Sequence, residues 1–422
     1  RAWLRGAIGS TARTGSESGR AARAPVGLTA LAFRGLKRRP SRSLGTAALL
    51  ASAAFLIIAV GANKLDADRD ATKRDSGTGG FALWAESSLP VIQDLDTRKG
   101  QEFYGLDPKK LAGVSFVPFK VRDGDDASCL NLNRAQRPRL LGVKPERLAR
   151  RGAFTFTGLA KDAGVTNGWD AIRAKPSAPG SEVPVIPAIA DANSIQWALQ
   201  MQLGDTLDYV DERGRPFKVR LVGAVANSVL QGSLVIDEAE FVRRFPSESG
   251  SRAFLIDAPA GSAAPLSADL TRALQDTGLE ITSAPKRLAM FNAVQNTYLD
   301  TFQMLGGLGL LLGSVGLGVV VLRNVFERRG ELAVMQAVGF ERSALQRFVL
   351  VEHAALLVLG LGVGTVAAGV AVLPALMSPG AQVPWASLAV TLLAVLLNGG
   401  LWTWLATRRA LGGSLVGSLR AL

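Results

Sequence analysis

Four apolar runs divide this chain: Leu44–Ala62, Thr301–Leu322, Val349–Leu373 and Trp385–Ala406. Each reaches or approaches the roughly 18 residues that a helix needs to cross a bilayer. The first, second and fourth hold no charged residue, and the third carries only Glu352 and His353, near its start. The pattern predicts an integral membrane protein with four transmembrane helices, at residues 44–62, 301–322, 349–374 and 385–406. One long polar insertion, residues 63–300, separates the first from the second. A mean hydropathy of +0.21 agrees with this reading.

The charge distribution orients the spans. Residues 1–42 hold ten Lys and Arg against the single acid Glu17, and residues 323–347 hold five Arg against three Glu. From Arg408 onward there are three Arg and no acid, which leaves 30 bases and 31 acids in the rest of the chain. The basic excess therefore flanks one side of the four runs, which is the positive-inside pattern. It predicts a cell-membrane protein with N-terminus, 323–348 segment and C-terminus in the cytoplasm, and with residues 63–300 extracytoplasmic. Nucleic acid is excluded as a partner: the net charge of +13 resides at the membrane flanks, while the one large domain is close to neutral.

In chain order, residues 1–27 read as a cytoplasmic linker of Gly, Ser, Thr, Ala and Arg without periodicity. Residues 28–43 read as an amphipathic interface helix, with Leu28, Leu31, Ala32 and Leu36 at helical spacing and Arg34, Lys37, Arg38 and Arg39 alongside. Pro40 is expected to end it, and Ser41 or Ser43 to start the first span. Strands are predicted at Gly79–Ser87, Val114–Val121, Ala153–Thr157, Val183–Ala188, Ser233–Asp237 and Arg252–Asp257, with a hairpin of Thr206–Val210 and Pro216–Ala224. Helices are predicted at Asp191–Leu203 with Asp191 as N-cap, at Glu238–Phe245, at Pro265–Thr277, and at Pro285–Asp300 running straight into the second span. The extracytoplasmic region is thus a mixed α/β domain of one or two lobes, its sheet order unassigned.

Between the second and third runs lies RNVFERRGELAVMQAVGFERSALQRFVLVE, from Arg323 to Glu352. Gly330 permits a turn, Glu331–Val338 reads as a short helix, Gly339 is placed to end it, and Ser343 can cap the next. Leu332, Met335 and Gln336 share one face of that helix. Leu332, Val334, Met335, Val338 and Phe340 put apolar groups into a water-facing stretch, which points to a docking surface. Glu352 is an intramembrane acid and so a functional candidate by default; its position one turn in also permits snorkelling and simple pairing with Arg347 or Arg323. Gly309 with Gly313, and Gly360 with Gly364, are placed for close helix packing.

No catalytic constellation is present. His353 is the only histidine and Cys129 the only cysteine, so neither a zinc site nor an intrachain disulfide can be assembled. No Lys follows a Gly-rich loop in the manner of a nucleotide site. Asp123, Asp125 and Asp126 are dense, but the rest of a calcium loop is missing. The chain is expected to be non-catalytic, with no cofactor or metal of its own.

The segment ERRGELAVMQAVGFERSALQRFVLVE, followed by a Gly-rich run, resembles the coupling segment of FtsX-like permeases, the membrane subunits of MacB/LolC/LolE-type ABC transporters. Glu327, Arg328, Glu331, Ala337, Gly339 and Glu352 match the family pattern. LAFRGLKRRPSRSLGTAALL resembles the family's amphipathic helix and first span. The order of one span, a large exported domain and three spans also agrees. The resemblance covers both ends of the chain, with an FtsX-like domain at about 298–415, and the exported domain only in outline.

It implies a type VII, MacB-like architecture that transmits the motion of a separate cytoplasmic ABC ATPase to the exported domain. ATP and Mg act through that partner, and the substrate class is lipid, lipoprotein, peptide or drug. Glu327, Arg328, Arg329, Glu331, Leu332, Met335 and Gly339 would couple to the ATPase. Membrane lipid and a second permease half, or a second copy of the chain, would be further partners. RAWLRGAIG near the start echoes ATRRALGG near the end, as if this were the C-terminal half of a longer permease. The alternative is a membrane-anchored sensor or regulator whose extracytoplasmic domain acts on another exported protein without transport.

Overall fold

The computed structural model describes residues 40–411 apart from 69, 129, 131–132, 162–163, 166, 174–182 and 378–384. The linker, the interface helix up to residue 39, Cys129 and the last eleven residues lie outside the described residues. The described chain forms two compact units. One draws on Arg1–Ala53, Leu310–Gly364 and Leu392–Leu422, and the other on Ala54–Gly309 and Thr365–Thr391.

The larger unit is built on ten strands, β1 Leu83–Val91, β2 Ser115–Arg122, β3 Arg139–Val143, β4 Phe156–Leu159, β5 Val185–Asp191, β6 Thr206–Val210, β7 Pro216–Val225, β8 Ser233–Asp237, β9 Ser251–Asp257 and β10 Glu280–Ser283. They form one mixed sheet in the order β10-β1-β9-β2-β3-β8-β5-β7-β4, with β6 paired to β7. The pairs β3·β8 and β5·β7 are parallel. One path of paired strands thus runs through the region. The central strands are buried on both faces, so they read as unbroken apolar runs rather than alternating ones. In β3, Leu140 packs into one cluster with Ile186, Phe217 and Phe241, and Leu141 into another with Phe119, Trp169 and Leu255. A third cluster, with Leu83, Phe116, Phe254 and Leu270, covers β1 and β9.

Short helices flank the sheet: α2 Arg98–Phe103, α3 Pro145–Arg151, α4 Glu238–Arg244 and α5 Ala263–Ala273. They follow α1, Pro40–Ala62. Helix α4 is capped as its sequence suggests, by the Asp237 carboxylate accepting from Ala239 N.

Several expectations shift. Pro40 opens α1 instead of ending the preceding helix, because proline is tolerated in a first helical turn. The first strand starts at Leu83, since Gly79 and Gly80 adopt φ +63° and +71°, which interrupts extended backbone. Phe154, at φ +69°, delays β4 to Phe156 in the same way. Asp191 ends β5, and the helix expected behind it is a single π turn, Ser194–Ala198. The Asp191 carboxylate does accept from Asn193 N, but it also accepts from Ser228 N and Oγ. That second set of donors belongs to another loop, which no local pattern announces. Strands β3 and β10 have no counterpart in the sequence reading, being only five and four residues long.

The remaining helices are α6 Ala284–Glu327, α7 Arg329–Ala337, α8 Arg342–Met377 and α9 Trp385–Leu411. Helix α6 runs 44 residues without interruption, as the juxtamembrane pattern predicted. Helix α8 continues through Pro374 to Met377, so that proline does not end it. Among the described residues, Arg342–Pro374 and Leu388–Arg409 are long and apolar enough to cross a membrane, and Ala47–Ala62 is a shorter apolar helix.

Within the smaller unit, glycines mark helix contacts. A Cβ at Gly360 would lie 2.7 Å from Leu50 Cβ and 3.0 Å from Ala47 O, so α1 and α8 approach only because no side chain stands there. A Cβ at Gly399 would lie 2.9 Å from Leu357, which brings α9 close to α8. Gly364 is buried, whereas Gly362 faces open space. The environment of Gly309 and Gly313 lies outside what is described.

Candidate functional site

Helix α6 ends at Glu327, and the chain turns at Arg328, with φ −104° and ψ 10°. The turn therefore sits one step before the predicted glycine, and Gly330 is already helical. Any residue can adopt these angles, so no glycine is required. Helix α7 follows with Glu331 in its first turn, on the side the helix dipole favours. It ends in a tight reversal. Gly339 N donates to Gln336 O at 3.0 Å and Phe340 N to Met335 O at 3.1 Å, with Gly339 at φ +105°. These two bonds form a Schellman motif, which needs a left-handed residue at the position after the cap and explains the glycine there. Helix α8 starts at Arg342, so Ser343 lies inside its first turn; its hydroxyl donates to the Glu341 carboxylate at 3.0 Å instead of capping.

The faces of α7 are assigned differently from the sequence reading. Leu332 is 2% exposed and packs with Val321, Val325, Ala333, Leu345, Phe348 and Val349. Met335 is half-buried against the same cluster. Both were expected to face outward, and both instead fasten the helix down. The outward apolar groups are Val334 and Val338, four residues apart and so on one face. Val338 is 75% exposed. Phe340, just past the Schellman turn, is exposed too.

Arg323, Glu327, Arg328, Glu331 and Glu352 of the segment pair among themselves. Arg323 Nε donates to Glu327 at 2.9 Å. Arg328 Nε donates to Glu331 at 3.2 Å, and its Nη1 to Glu352 at 2.8 Å. Glu352 thus pairs with Arg328, not with Arg347 or Arg323; α8 brings it beside the turn that α6 and α7 share. The side chain of Arg329 lies outside what is described. Val325, Arg328, Leu332, Val349, Glu352 and His353 line a small pocket. His353 Nδ1 lies 2.9 Å from Val349 O, and its buried Nε2 has no hydrogen-bond partner among the described residues.

A second constellation, in the other unit, joins the start of α6 to the sheet. Arg287 stacks over Trp84 at 4.3 Å, donates from Nε to Val229 O at 3.1 Å, and pairs with Glu86 at 3.2 Å. Glu86 also accepts from Trp84 Nε1 and from Arg139. Burial pushes the Glu86 carboxyl up, but Arg139 and Arg287 outweigh it and hold it below the ordinary range. Two turns on, Asn296 Nδ2 donates to Leu65 O at 2.7 Å and its Oδ1 accepts from Leu65 N at 3.1 Å. Lys64 pairs with Asp300 at 2.6 Å. The chain leaving α1 is therefore stapled to α6. Sequence reasoning found the helix and missed these partners of α6, which lie 58 to 236 positions away along the chain.

Asp123, Asp125 and Asp126 are occupied by protein groups. Asp125 accepts from Gln136 N and Arg137 N, Asp126 from Ser128, and Asp123 pairs with Arg252. Among the described residues, no three His, Cys, Asp or Glu are grouped as metal ligands.

Residues 304–415 match the family model described as FtsX-like permease C-terminal. No curated protein matches the chain. Among solved structures, the chain is similar to the crystal structure of the periplasmic region of MacB from Actinobacillus actinomycetemcomitans. The identity is 13% and the TM-score 0.26, over 52% of this chain and 95% of that one. The likeness to FtsX-like permeases is thus carried by residues 304–415, which hold the end of α6, α7, α8 and α9.

Proposed function

We propose that the chain is the permease subunit of an ATP-binding cassette transporter. Its four apolar segments span the membrane, both termini and residues 323–348 lie in the cytoplasm, and residues 63–300 lie on the far side. The chain itself catalyses nothing; ATP and Mg act through a separate ATPase, and its motion passes through α7 to the helices and on to the exported domain. A substrate would be a lipid, lipoprotein, peptide or drug.

The observation that carries the reading is the outer face of α7. A nine-residue helix is anchored by Leu332 and held by a Schellman turn, yet it presents Val334, Val338 and Phe340 to solvent. A connection between two apolar helices needs no apolar groups outside; a surface that a partner covers does. The continuous α6, tied to the sheet by Arg287, supports transmission beyond the membrane.

The test is purification of the tagged full chain from its membrane. The wild type is expected to bring down an ATPase, and Val338→Glu to lose it while inserting normally. A wild type that recovers no ATPase sinks this reading in favour of an anchored sensor. Topology is checked by labelling in a Cys129→Ser background: Trp197→Cys, at an exposed position, should react with an impermeant thiol reagent from outside, and Val338→Cys should not.

A further inference from the structure

Arg328 is the one residue between the end of α6 and the start of α7, and its side chain reaches into α8. Its guanidinium is shared between Glu331 of α7 and Glu352 of α8, at 3.2 and 2.8 Å. It also lies 5.5 Å over the ring of Phe348, one turn before Glu352. Val325, Leu332 and Val349 line a small pocket together with the pair. Glu352 is largely buried, so its charge is tolerated only while a counter-charge is present.

We propose that the Arg328–Glu352 ion pair is a latch that sets the pose of α7, with both residues acting as positioning residues for ATPase docking. Arg328 sits at the pivot where α6 hands over to α7, so the pair fixes the angle at which α7 leaves that pivot. Glu331, held by the same guanidinium, locks the first turn, and Leu332 follows it into the core. The outward direction of Val334 and Val338 is a consequence of this arrangement. The intramembrane acid is thereby assigned as the fixed counter-charge of a hinge. The inference rests on the coupling reading for what α7 docks to, but the latch itself is a property of this chain alone.

The test uses the full chain in lipid nanodiscs and follows amide hydrogen exchange over residues 329–340. Arg328→Met and Glu352→Gln are each expected to raise exchange there by roughly tenfold, and the double variant to be no faster than the faster single, because both remove the same contact. Arg323→Met, which breaks only an exposed pair, should leave exchange as in the wild type. If Glu352→Gln does not fold, Glu352→Asp, which shortens the reach by one methylene, should show the same rise in smaller measure.

ATPase recovery should fall in step with exchange in the latch variants, whereas Val338→Glu should lose the ATPase with exchange unchanged. Unaltered exchange in Glu352→Gln, or effects of the two singles that multiply in the double, would overturn the latch. Normal ATPase recovery by Val338→Glu would instead overturn the docking reading and leave the latch standing.

Discussion

Replacing Arg287 by Met tests whether α6 is joined to the sheet as rigidly as its contacts imply. The substitution keeps the apolar stem and removes the guanidinium. Lost with it are the pair to Glu86, the bond to the Val229 carbonyl and the stacking on Trp84. A fully buried pair broken on one side costs about 3–5 kcal/mol. Here the side chains of Arg287 and Glu86 are 17% and 33% exposed, and Glu86 keeps Arg139, so the electrostatic part is discounted to about 1 kcal/mol. The orphaned carbonyl and the lost cation–π contact contribute about 1 kcal/mol each.

A total of about 3 kcal/mol in a domain of this size lowers Tm by roughly 6–12 °C. The sign with pH is fixed by Glu86. Its carboxyl is held low in the fold, so its contribution is present above the ordinary pKa of 4.5 and is lost as pH falls below that value. Thermal unfolding of the full chain, followed by proteolysis of the extracytoplasmic region, should show the deficit at pH 7 and a smaller one near pH 4. A Tm within about 2 °C of the wild type, or a deficit that does not shrink in acid, would refute the reasoning.

Asp191 should act in the opposite sense. Burial pushes its carboxyl up to about 6 despite the Ser228, Asn193 and Ser194 donors. The fold therefore favours its protonated form, and about 3 kcal/mol is lost as pH rises from below about 4 through about 6; unfolding at pH 4.5 and 7.5 should show about 2 kcal/mol of this fall in the wild type and none in Asp191→Asn. In Gly77→Ala the new Cβ would stand 2.0 Å from Asn227 O and 2.9 Å from Leu288, so a loss above about 2 kcal/mol is expected in the same melt. Gly360→Ala should push α1 from α8 and lower bundle stability, whereas Gly362→Ala, facing open space, should be neutral or stabilising by up to about 1 kcal/mol. Thermal scans of the full chain in one detergent compare the two.

What the residues determine locally was legible in advance. The apolar runs mark α1, α6, α8 and α9, because their length and lack of charge are properties of the chain alone. Pro285 to Asp300 could be read as helix joined to the following run, and Gly339 as the end of α7, since a Schellman turn is built from adjacent residues. The hairpin β6–β7 and the cap at Asp237 were legible for the same reason. The face that α7 buries was not legible. Leu332, Val334, Met335 and Val338 are all apolar, and which of them turns inward depends on the angle at Arg328, which a residue 24 positions away on α8 helps to hold.

The same division holds across the molecule. The sequence by itself determined where the long apolar helices lie, and that a short helix ended by Gly339 lies between two of them. Those outcomes rest on hydrophobicity, local capping and composition. Only the tertiary structure decided the order of ten strands in one sheet, the use of Glu352 as the counter-charge of Arg328, and the clasp of Arg287 on Glu86, Trp84 and Val229. Each of these joins residues far apart along the chain, and burial, not proximity in sequence, makes the charges among them find one another.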